Sequence, residues 1–218
     1  MKISDIKATL YDIFGYLIPG ILFIFFSYVS FNHFKGTFDN TKILKNVYSY
    51  MEIKNIIVIS VFAYFIGHVL STLSSLIVEK SIFLKFSFLS RGLKSKSQFS
   101  NNMFENFKRK YSEVFNLQYD DRDFRSVICY VESREPLIYS TAFVFLSFYG
   151  MARCIAFILS SFFICELIIT FKYFSFAELY YCIGILLLAL VFYYEYYRFF
   201  RYFKQEIIMG FVLPKQHN

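Results

Sequence analysis

Tryptophan is absent from this chain, and histidine occurs only 3 times in 218 residues. The nucleotide loop GxxxxGK, the dinucleotide fingerprint GxGxxG, the metallohydrolase motif HExxH and the nucleophile elbow GxSxG are all missing. No internal repeat of the transporter kind is visible. The 4 cysteines, Cys129, Cys154, Cys165 and Cys182, form no CxxC and no Cys/His cluster with metal spacing. Three of them lie in apolar runs and read as small buried hydrophobes. His68 and Glu79 are separated by about 16 Å of helical rise, too far to share a metal without ligands from other helices. The expectation is a non-enzymatic protein with no metal and no cofactor.

What the chain does have is apolar mass. It is 57% hydrophobic and 23% aromatic, with 31 Phe and 19 Tyr, and its mean hydropathy is +0.47. Soluble domains hold nearer ~45–50% apolar residues. The net charge of +7 fits the excess of Lys and Arg that keeps loops of a polytopic protein in the cytoplasm, more than a nucleic-acid partner. Direct nucleic-acid binding is not expected, because no aromatic-interleaved reading motif accompanies the charge.

The fold class read from these patterns is all-α, a polytopic membrane bundle of four transmembrane helices with a helical cytoplasmic insertion between spans two and three. Residues 1–79 form a first membrane hairpin with spans at about 13–32 and 55–78. Residues 80–150 form a basic helical cytoplasmic element. Residues 151–218 form a second hairpin with spans at about 151–171 and 179–197 and an interfacial C-terminal helix. About 20 residues at ~1.5 Å each cross a ~30 Å hydrocarbon core, and each span meets that length.

The second span carries two stripes at helical spacing. Ser60, Ala63, Gly67, Ser71, Ser74 and Val78 are small, which lets helix backbones approach closely. His68, Thr72, Ser75 and Glu79 are polar, and are read first as interhelical hydrogen bonding, with a water-lined path among assembled copies as the alternative. Between Lys80 and Glu135, eleven basic residues face seven acidic ones. Phe104, Phe107, Tyr111, Val114 and Phe115 mark an amphipathic helix there, and a second short one is expected around Phe124 to Val131.

Leu137 to Phe171 is apolar without a turn, on the order of 50 Å if helical. Setting Met151–Phe171 in lipid leaves Leu137–Gly150 outside, packed on the Lys80–Glu135 element, with Arg153 reaching headgroups and Glu79 as a candidate partner. Glu166 then lies near the outer edge or bonds another span. The last span is bracketed by Tyr180, Tyr181, Tyr193, Tyr194, Tyr196 and Tyr197, a belt made of Tyr. Lys94, Lys96, Lys108, Arg109 and Lys110 are the expected basic surface for lipid headgroups or a partner. Seventeen Lys and Arg fall on the side that holds both termini, against five on the other. Both termini are therefore expected inside the bacterial inner membrane.

YDIFGYLIPGILF, YFIGHVLSTLSSLIVEK, FLSFYGMARCIAF and YYEYYRFFRYFKQEI together resemble a group of small bacterial inner-membrane proteins. These accompany anti-phage systems such as retrons and CRISPR loci. The resemblance touches most of the chain and implies a membrane-resident effector or accessory subunit. Such a subunit impairs the membrane or tunes a soluble partner, and no catalytic residue comes with it. The implied partners are the lipid bilayer, further copies of the chain, and a soluble defence-system protein or ribonucleoprotein.

Overall fold

The computed structural model describes residues 11–35, 53–79, 101–120, 123–173 and 176–212, and the elements within them are helices. Helix α1 starts with a π-helical turn, Ile13–Leu17, and runs on as Ile18–Phe34. Helix α2 is Ile53–Ser74 with a closing π turn, Ser75–Glu79. Two shorter helices follow, α3 at Asn101–Phe115 and α4 at Phe124–Arg134, and then two long ones, α5 at Pro136–Tyr173 and α6 at Phe176–Val212.

Four of these, α1, α2, α5 and α6, are long and apolar enough to cross a membrane. Their outer surface is oily. Phe62, Phe65, Ile168, Phe171 and Leu187 all point outward, exposed, an arrangement that lipid tolerates and water does not. The chain is a multi-pass membrane protein.

Within this membrane half, α1 lies antiparallel to α2 and parallel to α5, and α5 and α6 form a long antiparallel hairpin. Val78 of α2, Ala152 of α5 and Tyr196 of α6 meet in one buried cluster, which sets the levels of three helices at one end. Pro19 shapes α1. It has no N–H for the Gly15 carbonyl, and its ring would crowd that carbonyl in a regular helix. The backbone widens into the π turn just before it, and the Cys154 thiol of α5 points at the Gly15 carbonyl from 4.0 Å.

Beyond the membrane half, α3 and α4 close on the first part of α5 and the last part of α6. Phe107, Tyr111, Val127, Val131, Ala142, Phe203, Ile207 and Phe211 fill the core of this distal four-helix bundle. Asn116, at φ 54°, ends α3 in the left-handed conformation that Asn tolerates, and its N–H bonds the Ser112 carbonyl at 3.0 Å. Glu135 separates α4 from α5. The proline after it disfavours helical geometry, and it sits at φ −129°, ψ 65°.

For the tail from Arg198, described as far as Val212, the expectation is an interfacial helix. Those residues continue α6 without a break and bury Phe203, Ile207 and Phe211 against α3 and α4. A protein core offers these rings dense packing on every side, which a membrane surface does not.

Candidate functional site

The membrane half holds one fully buried carboxylate among the described residues. Glu166 of α5 is 0% exposed. Its Oε1 accepts a hydrogen bond from the Ser30 hydroxyl at 2.6 Å, and its Oε2 lies 2.6 Å from His33 Nδ1. Ser30 and His33 are three residues apart in the last turns of α1, so one helical face presents both to the same carboxylate. One turn along α5, the Thr170 hydroxyl donates to the Glu166 backbone carbonyl at 2.9 Å and lies 3.2 Å from the Cys182 thiol of α6. Three spans are thus joined by polar contacts at the end of the membrane half far from the distal bundle. The sequence reading missed Ser30 and His33, setting His33 in the connector. A histidine three residues after a serine at a span end was the available signal, but nothing linear names Glu166 as their partner.

A second network lies nearer the bundle. Arg153 is 8% exposed; its Nη2 donates to the Ser71 carbonyl at 3.4 Å and to the Ser71 hydroxyl at 3.3 Å. The guanidinium also lies 5.6 Å from the Tyr149 ring. It is buried between helices. The Ser74 hydroxyl bonds the Ser71 carbonyl and lies 3.4 Å from the Cys154 thiol. The expected Arg153–Glu79 pair lies outside the described residues, because the Glu79 side chain is not among them.

The two stripes of α2 face different ways. Ala63, Gly67, Ser74 and Val78 are buried. A side chain at Gly67 would overlap the Tyr16 carbonyl, and one at Gly20 would overlap the Ala63 carbonyl, so α1 and α2 cross backbone to backbone. His68 and Thr72 face outward, exposed, and Ser75 is half-buried. The His68 ring stacks on Tyr16 at 3.7 Å and meets Tyr64 edge-on at 4.7 Å. The Thr72 hydroxyl bonds the His68 carbonyl of its own helix at 3.1 Å.

The basic surface divides. Lys94 and Lys96 lie outside the described residues. Lys108 pairs with Glu105 at 3.5 Å and Arg109 with Glu113 at 3.9 Å, both exposed. Such pairs stabilise little. Lys110 donates to the Val212 carbonyl at 3.3 Å and lies 5.8 Å from the Phe211 ring, where a cation complements the negative end of α6. In the bundle core, burial and the neighbouring Asp123 carboxylate push the Tyr111 phenol above its ordinary pKa.

Among the described residues no group of three His, Cys, Asp or Glu side chains is placed to hold a metal. Comparison with protein families, with characterised proteins and with solved structures finds no match.

Proposed function

We propose that this protein is a non-enzymatic effector or accessory protein of a bacterial anti-phage defence system, resident in the inner membrane with both termini and the distal bundle in the cytoplasm. The bundle receives a soluble protein or ribonucleoprotein, and the membrane half responds by perturbing the bilayer or opening a pore as copies assemble. The observation that carries this reading is the continuity of α5 and α6, Pro136–Tyr173 and Phe176–Val212. Each is a single rod shared by bundle and membrane half, so a load on one end moves the other. The outward His68 and Thr72 on α2 support assembly, since a polar side chain facing lipid is better covered by another copy.

The test is induced expression with the cognate sensor, followed by a potential-sensitive dye. Collapse of membrane potential supports the effector reading; arrested cells with intact potential overturn the pore. A second reading, a scaffold that holds and regulates its soluble partner, is favoured by the bundle, whose α3 and α4 cover the paired ends of α5 and α6. Under it, detergent co-purification recovers a partner that is lost when residues 101–134 are removed, and potential stays intact.

A further inference from the structure

Where the membrane half meets the bundle, α6 changes from an apolar run to Arg198, Arg201 and Lys204. From Leu179, where the apolar span begins, to Tyr197 is about 28 Å of helix, close to the ~30 Å hydrocarbon thickness. Arg198 therefore sits where hydrocarbon ends. Lys204 stands about 9 Å farther on, just past a headgroup layer on the order of 5–8 Å deep, and its four-carbon stem is long enough to reach back to it.

The three cations rest on an aromatic shelf. The Arg198 guanidinium is 5.6 Å from the Phe199 ring and 5.8 Å from Tyr202, and Arg201 is 5.9 Å from the same Tyr202. The Lys204 ammonium is 4.9 Å from Phe200 and 5.5 Å from Phe124. Among the described residues, the carboxylate paired with any of them is Glu195, 2.9 Å from Arg198. The Arg198 side chain is 38% exposed, which leaves it open to an anionic oxygen. Toward the membrane, Leu187, Val191 and Tyr194 are exposed and fall on the helical face that leads to Arg198 and Arg201. An acyl chain fits that track and a phosphate fits its end.

We propose that Arg198, Arg201 and Lys204 bind the phosphate of an anionic phospholipid in the bundle-side leaflet, with its acyl chain along Leu187, Val191 and Tyr194. Guanidinium groups suit phosphate oxygens through paired N–H donors, and the aromatic shelf holds the cations in place.

The test reconstitutes the full chain in nanodiscs of phosphatidylcholine mixed with phosphatidylglycerol and measures the lipid retained after detergent extraction by native mass spectrometry. Wild type is expected to retain phosphatidylglycerol preferentially. R201Q/K204Q loses that preference by about fivefold per charge removed, while K108Q/R109Q on the distal bundle keeps it. Equal loss in both variants, or no loss in either, overturns the site. Displacement of the lipid by inorganic phosphate at matched phosphate concentration identifies a free-anion site instead, and RNA retained in place of lipid identifies a nucleic-acid surface; either overturns the proposal. Should R201Q/K204Q not fold, a photoactivatable phosphatidylglycerol on the wild-type chain decides. Adducts within 187–204 support the site, and adducts confined elsewhere refute it.

Discussion

The His33 imidazole lies 2.6 Å from the Glu166 carboxylate, joining the first membrane helix to the third across 133 residues of chain. Their side chains are 12% and 1% exposed. Removing one member of a buried polar pair strands the other, which costs about 3–5 kcal/mol. Removing both costs less than the sum. Thermal unfolding in detergent of Glu166→Ala, His33→Ala and the double variant is expected to give a coupling above about 1 kcal/mol. Additive losses would mean that the pair contributes nothing beyond two separate side chains.

Two pairs of glycines make opposite forecasts. Gly20 and Gly67 have a neighbouring helix backbone where a side chain would go, whereas Gly150 and Gly184 face open space. Gly67→Ala and Gly20→Ala are expected to force α1 and α2 apart and to destabilise by about 1–3 kcal/mol or more. Gly150→Ala is expected to be neutral or stabilising by up to about 1 kcal/mol, from helix propensity. Melting temperatures of the four alanine variants provide the ranking, and a Gly67→Ala variant as stable as Gly150→Ala would refute the close crossing.

Cysteine chemistry reports on topology. Cys129 is exposed on the distal bundle, Cys165 is exposed on the oily face of α5, and Cys154 and Cys182 are buried. With the bundle in the cytoplasm, as proposed, a membrane-impermeant maleimide is expected to label Cys129 alone, and only once the cytoplasmic side is opened. Labelling of Cys129 in intact spheroplasts would place the bundle on the opposite side.

Alkali should loosen the bundle through Tyr111. Burial and Asp123 raise its folded pKa above the ordinary 10.0, so folding favours the protonated phenol. That stabilisation is complete below pH 10 and is lost as pH rises through the folded value. Bundle stability followed by hydrogen exchange at α3 is expected to fall above pH 10 in wild type and less steeply in Tyr111→Phe. Identical slopes would remove Tyr111 as the cause.

Much of the architecture is legible along the chain, because lipid demands long apolar helices and water demands amphipathic ones. The four spans and the aromatic spacing of Phe104, Phe107 and Tyr111 follow from that demand alone. The small and polar stripes of α2 are equally visible, being a matter of helical period. Composition and period say nothing about rotation, however. Which stripe turns inward was decided by Gly67 meeting the Tyr16 backbone.

Linear order also hides pairing. Arg153 has apolar neighbours in sequence, yet helix packing brings Ser71 to it. The helix after Tyr197 has basic and aromatic faces that suit a membrane surface as well as a protein core. Its course is settled by α3 and α4 lying where Phe203, Ile207 and Phe211 can pack. The amino-acid order by itself determined the helices and their solvent; the tertiary structure decided which faces touch, because contact between distant residues depends on rotation and depth that no local pattern encodes.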